Sequence, residues 1–173
     1  PPVPGARLAG MLNFDMVGRL RDDELFVSGL ESVPALVGPA ESAAAMGGIT
    51  LKRLDEYPYN MSDHGTFLEA GVPALLFFTG LHLEYHTPRD TADRIEFGGA
   101  IRVVDVASRL LEAMRSASQD LEFVPGNDPG YDRNFREMAT PSNPYNNFKT
   151  SAIYLFIWYL IDFQYHLICI NLF

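Results

Sequence analysis

The stretch SDHGTFLEAGVPALLFF, residues 62–78, decides the fold of this chain. Its first ten residues begin with residues that favour helix caps and end at Gly71, which predicts a short helix. The rest is an apolar run without polar alternation, which is typical of a strand buried on both faces. A helix that leads directly into a buried strand favours a layered α/β architecture.

The regions on either side continue this alternation. Strands are predicted at residues 8–17, 24–29 and 49–54. A helix is predicted between the second and third of them, because Pro34 opens an Ala-rich segment that stops at Gly47. The Gly38-Pro39 pair is a candidate break within that helix.

A further helix is predicted from about residue 98 to residue 115. Apolar residues recur at helical spacing and predict its buried face: Ile101, Val104, Ala107, Leu111 and Met114. Charged residues occupy the other face: Arg102, Asp105, Arg109 and Glu112. The whole order predicts an α/β fold in which helices cover a mixed, mostly parallel sheet.

Composition excludes several classes of function. A chain of 173 residues is the size of one domain with a single core. Its net charge of -9, without clusters of Lys and Arg, argues against nucleic acid or an anionic membrane surface as the main partner. Because Cys169 is the only cysteine, an internal disulfide and a Cys-based metal site are both excluded. Any metal site must use His and carboxylates.

By composition the chain has three segments. Residues 1–118 form the predicted domain, residues 119–150 predict a disordered linker rich in Pro, Gly and Asn, and residues 151–173 form an apolar tail. The tail has nearly the length of a membrane span, but Asp162 lies near its centre, where charge is costly. A single-span anchor, an amphipathic or aggregation-prone tail, and translated non-coding sequence all stay open as interpretations of it.

Asp15 is a polar residue at the end of a predicted buried strand. Because burying an unpaired carboxylate is costly, its charge should be balanced by Arg19, by Arg21 or by a metal ion. A structural salt bridge or a turn cap is the simpler alternative. Ligands in open α/β sheets gather beyond the carboxyl ends of the strands, which is where Asp15 is predicted to lie.

His86 lies in the loop EYHTPRDT, which follows the buried strand of residues 72–78. A solvated or hydrogen-bonded histidine is the ordinary interpretation. The Thr87-Pro88 turn would fix its backbone, however, and Asp90 is close enough in sequence to orient its ring, as carboxylates do for metal-bound histidines. His82 could share the same site.

The sequence SDHG places Asp63 and His64 at a predicted helix start. Ser62 or Asp63 is expected to cap that helix by accepting hydrogen bonds from its free backbone amides. The functional alternative is that Asp63 faces the substrate, for instance to hold a free amino group.

Taken together, MLNFDMVGR, SDHGTFLEAGVPALLFF and EYHTPRDT, followed by the amphipathic helix, resemble the di-zinc exopeptidases of metallopeptidase family twenty-eight. This is the leucyl aminopeptidase-like group of clan MH, which includes glutaminyl cyclases, and the resemblance runs from about residue 7 to residue 115. It implies a three-layer α/β/α sandwich with a mixed, mostly parallel sheet. It also implies two zinc ions and the release of N-terminal amino acids from peptide substrates.

Carried over by position, the resemblance makes Asp15 a ligand of one zinc ion and His86 a ligand of the other. On this hypothesis Asp63 sits at the substrate side and Asp90 orients His86. The family pattern also has an upstream His-x-Asp motif and a Glu-Glu pair that supplies the general base, and this chain contains neither. We therefore expect the C-terminal part of a catalytic domain, without its N-terminal strands and unable to work alone. A three-ligand zinc site would need His82 or His64 as a further ligand.

Two alternatives stay open. The first is a non-catalytic or membrane-anchored member of the family that acts as a binding domain, with residues 151–173 as the anchor. The second is a glutaminyl cyclase or carboxypeptidase relative, because the same fold can serve different substrates. The resemblance favours an extracytoplasmic or secreted location.

Overall fold

The computed structural model describes residues 9–54, 62–117 and 121–127, together with the backbone of two strands at residues 157–158 and 166–170. In chain order the elements are β1 (Gly10–Phe14), β2 (Glu24–Ser28), α1 (Pro34–Met46), β3 (Thr50–Arg53), α2 (His64–Glu69), β4 (Ala74–Phe78), α3 (Phe97–Ser116), β5 (Ile157–Trp158) and β6 (His166–Ile170). Short 3-10 turns lie at Leu30–Ser32, Ala92–Arg94 and Pro125–Asn127.

The strands form one mixed sheet in the order β3-β2-β4-β1-β6-β5. β1 runs parallel to β4 and β6, and β2 runs parallel to β3, whereas the β2/β4 and β5/β6 pairs are antiparallel. Every residue of β1 and β4 is buried. The predicted α/β fold with a mixed, mostly parallel sheet is confirmed.

The sheet is covered by helices on both faces. On one face the main core joins Leu12 and Leu75 of the sheet to Leu36 of α1 and Leu110 of α3. On the other face Leu68 of α2 packs with residues of β1 and β4. This arrangement has helices in the two outer layers and the sheet between them, as the α/β/α prediction requires.

Helix α1 is continuous through Gly38 and Pro39, so the predicted break is wrong. Pro39 lacks the N–H that would bond four residues back, which removes one hydrogen bond near the start of the helix. Tertiary packing outweighs that loss, because Leu36, Ala40 and Ala44 on either side of the pair are buried in the main core.

Helix α3 has a different buried face from the predicted one. Its buried residues are Gly99, Val103, Val106, Ala107, Leu110 and Met114, whereas Ile101 is 69% and Val104 is 43% exposed. The prediction was right for Ala107 and Met114, partly right for Leu111, which is partly buried against the main core, and wrong for Ile101 and Val104. The first turn of α3 lies very close to Leu20, since a Cβ added to Gly99 would lie 2.5 Å from the Cβ of Leu20. This contact helps to decide which face of α3 is buried.

Residues 121–127 fall in the segment that composition assigns to the linker. Leu121 and Phe123 pack against the main core, and the N–H of Val124 donates to the carbonyl of Ser32 at 2.7 Å. Packing onto the domain therefore continues past residue 118.

The predicted apolar tail, residues 151–173, is described only at β5 and β6, and the rest of it lies outside the described residues. Residues 119–120 and 128–150 of the predicted linker lie outside them as well. Within the described parts of the chain, no helix combines the length and the apolar character that crossing a membrane requires.

Candidate metal centre

Asp15 lies at the carboxyl end of β1, at the edge of the sheet where β4 also ends. Its N–H donates to the carbonyl of Phe77 in β4 at 3.0 Å, so its backbone is held by the last hydrogen bond between the two strands. The loop that carries His86 leaves β4 at the same edge, because the two strands are parallel. The fold therefore brings both predicted zinc ligands to one edge, where α/β sheets bind ligands.

A chain of two hydrogen bonds orients the Asp15 carboxylate. The hydroxyl of Ser62 donates to Oδ2 of Asp15 at 2.8 Å and accepts from Nδ2 of Asn13 at 2.9 Å. Asn13 is 1% exposed, so its side chain is fixed by the core around it. The carboxylate is thus aimed by groups from β1 and from the start of α2.

The predicted cap at the start of α2 is not formed by these side chains. Asp63 is the N-cap residue, but it makes no side-chain capping hydrogen bond. The Ser62 hydroxyl bonds to Asp15 and Asn13 instead. The capping interpretation of Asp63 is wrong, and Ser62 supports Asp15.

Asp15 interacts electrostatically with both Asp63 and His86. Burial raises the pKa of Asp15, the Ser62 hydrogen bond lowers it, the neighbouring Asp63 charge raises it, and His86 lowers it. Burial also raises the pKa of Asp63. Burial therefore disfavours both carboxylates as anions, and the His86 imidazole favours the charged form of Asp15, an arrangement that a bound cation would stabilise.

The arginines that the sequence offered as partners of Asp15 bind elsewhere. Arg19 pairs with Glu84 and Asp90, and Nη2 of Arg21 donates to the carbonyl of Leu81 at 2.7 Å. The structural salt bridge predicted as the simpler role of Asp15 is thus not made by either arginine.

His86 adopts a left-handed backbone conformation with φ of 56°. The surrounding turn is closed by the N–H of Thr87, which donates to the carbonyl of Glu84 at 2.9 Å. The His86 ring lies 3.8 Å from the ring of Tyr85, centroid to centroid. Met16, directly after Asp15, is also left-handed, with φ of 54°. Conformations of this kind cluster at functional sites, because the surrounding structure must hold them in place.

Asp90 was predicted to orient His86. In the structure its carboxylate instead contacts Arg19 and lies 3.5 Å from Nε2 of His82. His64 is fully buried in the first turn of α2, and His82 lies between Glu84 and Asp90. In the part of the chain that the structure describes, no group of three or more His, Cys, Asp or Glu side chains is placed to hold a metal ion.

The donors that are present fit zinc by type. A half-buried carboxylate and a nearby imidazole are both usual zinc ligands. Two donors are fewer than a catalytic zinc ion takes from protein, so Asp15 and His86 fit as part of a ligand set.

The family of the chain follows from its sequence match. Residues 2–111, more than half of the chain, match the model of peptidase family M28. The chain belongs to this family. No curated protein matches it.

Two solved structures resemble this M28 chain. One is the Legionella pneumophila LapA aminopeptidase, with 17% identity and a TM-score of 0.49, covering 60% of this chain and 30% of that one. The other is BSAP, a zinc aminopeptidase from Bacillus subtilis, with 24% identity and a TM-score of 0.47, covering 59% of this chain and 27% of that one. This M28 chain therefore spans less than a third of either structure.

Proposed function

We propose that this chain is part of a zinc-dependent aminopeptidase that releases N-terminal amino acids from peptides. The observation that carries the proposal is that Asp15 and His86 follow strands that end at the same edge of the sheet. His86 and the Ser62 hydrogen bond both lower the pKa of Asp15, which favours its charged form. Membership of peptidase family M28 supports a peptidase, and the zinc aminopeptidase from Bacillus subtilis supports the metal.

In this proposal Asp15 and His86 each donate to one of two zinc ions. Zinc in such a site polarises the scissile carbonyl and lowers the pKa of a bound water. Ser62 holds the Asp15 carboxylate in the direction of the metal, and the left-handed turn presents the His86 ring. Asp63, whose charge acts on Asp15, would face the substrate and hold the free amino group of a peptide.

The remaining zinc ligands and the general base are proposed to lie in sequence that the longer structures have and this chain does not span. A catalytic zinc site takes three protein ligands and a water-activating base, and no group of three or more His, Cys, Asp or Glu side chains among the described residues is placed to hold a metal ion. We therefore propose that the 173-residue chain is inactive by itself.

The test compares protein made from the complete coding sequence with the 173-residue chain. Zinc content is measured after dialysis, and activity is measured on leucine p-nitroanilide and on its N-acetylated form. We expect zinc and activity only in the complete protein, with the acetylated substrate resistant. D15N and H86A should each lose at least about 100-fold in kcat/KM, because even groups behind zinc ligands are worth 10–100-fold.

The matched control is D105N, which changes an exposed carboxylate on α3 and should leave kcat/KM unchanged. Full activity of D15N would contradict the proposal. Stoichiometric zinc in the 173-residue chain would contradict the view that its ligand set is incomplete.

A non-catalytic binding domain is the second candidate. It is favoured by the lack of any three-donor cluster among the described residues. This candidate predicts that the complete protein binds peptides with a free amino terminus but does not cleave them, so the same assay with a binding measurement separates the two.

A further inference from the structure

Two segments leave the sheet beside the candidate metal centre, and several hydrogen bonds and ion pairs connect them. We define the β1 exit as residues 15–21 and the β4 loop as residues 79–96. The hydroxyl of Thr79 donates to the carbonyl of Met16, and the N–H of Glu96 donates to the carbonyl of Gly18 at 2.8 Å. These bonds fix the two ends of the β4 loop, whereas the His86 turn lies in its middle.

Arg19 is the residue of the β1 exit that reaches this middle part. Its Nη1 lies 3.5 Å from Oε2 of Glu84, and its Nη2 bonds to Oδ1 of Asp90. Glu84 precedes His86 by two residues and Asp90 follows it by four, so one guanidinium holds the turn from both sides. The three side chains are 17%, 20% and 21% exposed, respectively.

The geometry suits arginine in particular. A guanidinium is planar and presents several N–H donors in fixed directions, so it can bind two carboxylates at once without losing the geometry of either. Glu84 has a second partner in Arg94, whose Nη1 lies 2.9 Å from Oε1. Asp90 has His82 as its other neighbour. Loss of Arg19 would therefore leave the Asp90 end of the turn without an arginine partner.

We propose that Arg19 is a positioning residue of the metal centre, which holds the His86 turn at the separation from Asp15 that zinc binding requires. This inference rests on the proposed function, because it takes Asp15 and His86 as zinc ligands. Arg19 lies four residues after one ligand and binds on both sides of the other, so it fixes their relative position without touching the metal.

The control for a purely structural role is Arg109. It forms an ion pair with Asp105 across one turn of α3, with its Nε 2.9 Å from Oδ2, and it is exposed. R19Q and R109Q each remove one arginine from an ion pair, but only R19Q removes a link between the two ligand-bearing segments.

The experiment uses protein from the complete coding sequence. Zinc affinity is measured by competition with a chromophoric chelator, and amide hydrogen exchange is measured on the metal-free protein. We expect R19Q to raise the zinc dissociation constant about 10–100-fold, as for other residues that support metal ligands. It should also speed exchange in the β4 loop, with little change in α1. R109Q should have neither effect.

Each outcome decides between explanations. If R19Q binds zinc as tightly as R109Q, while D15N and H86A bind it weakly, the role of Arg19 is overturned and the proposed function stands. If D15N and H86A also keep the parent affinity, the proposed function itself is overturned. If R19Q speeds exchange equally in the β4 loop and in α1, Arg19 supports the fold as a whole and the positioning role is wrong.

Discussion

Burial of the charged Asp15 side chain lowers the stability of the metal-free protein. Burial raises its pKa, so the folded state binds its proton more strongly than the unfolded state does. The stability of the folded state therefore falls as pH rises from the unfolded pKa through the raised folded pKa. Above that window the full cost of the buried charge is present, and a zinc ion would offset it.

Asp15→Asn should accordingly stabilise the metal-free chain at neutral pH. We expect a gain in unfolding free energy at pH 7, because the variant buries no charge. The gain should vanish near pH 3, where Asp15 is protonated in both states. Urea unfolding of the parent and D15N at both pH values measures this difference. A stability loss at pH 7 in D15N would show that the carboxylate has a balancing partner in the metal-free protein.

At the residue scale, the sequence singled out polar groups that follow an apolar strand, and their role as metal ligands stays a prediction. Asp15 and His86 stand out for this reason, and the structure brings them to one edge. The role of Ser62 was missed because its partner Asp15 is 47 residues away in sequence, and a cap was the nearest local explanation. Asp90 was assigned to His86 by proximity in sequence, although Arg19, 71 residues away, binds it.

At the scale of elements, α3 gives the clearest test of packing. Leu110 is fully buried in the main core, whereas Ile101 is 69% exposed. Leu110→Ala should therefore cost about 2–5 kcal/mol of unfolding free energy through lost burial and the cavity left behind. Ile101→Ala should stay within about 0.5 kcal/mol of the parent, because it changes an exposed position. Urea unfolding of both variants measures these changes. If I101A were more destabilised than L110A, the assignment of the buried face of α3 would be wrong.

The face of α3 could not be read from its sequence because apolar residues surround much of the helix. Ile101 and Val104 continue the same spacing as Ala107 and Met114, and Val103 and Leu110 offer a second series beside it. The choice between them depends on contacts with other elements, such as the close approach at Gly99. Similarly, α1 runs through Pro39 because its buried face is fixed by tertiary packing.

At the scale of the molecule, the order of elements from β1 to α3 was predictable, whereas the strands β5 and β6 and the order of strands in the sheet were not. The apolar run at β4, and the mostly apolar stretch at β1 with its interruption at Asn13, indicated buried strands, and the sheet has helices on each side. The antiparallel pairing of β2 with β4 depends on where the connecting segments lead the chain. That pairing cannot be read from periodicity within a strand. The parallel β1/β4 pair matters most, because it brings the ends that carry the site together.

Hydrogen exchange measured across the whole molecule, with and without zinc, should show where the metal ion binds. In protein from the complete coding sequence, free zinc at 100 times its dissociation constant stabilises the bound state by about 2.7 kcal/mol. Amides of residues 79–96 that exchange through local opening of the His86 turn should then slow by up to about 100-fold, because opening would release the ion.

The last turn of α3 provides the internal control for that experiment. Met114 lies at the other end of the sheet, against Gly10 at the start of β1. Amides near it exchange through fraying of the helix end, which leaves the metal centre intact, so zinc should not change their rates. If zinc slowed amide exchange equally at both ends of the sheet, the ion would bind elsewhere or would stabilise the whole fold rather than the His86 turn. Slowing confined to the edge of Asp15 and His86 is what a shared metal centre requires.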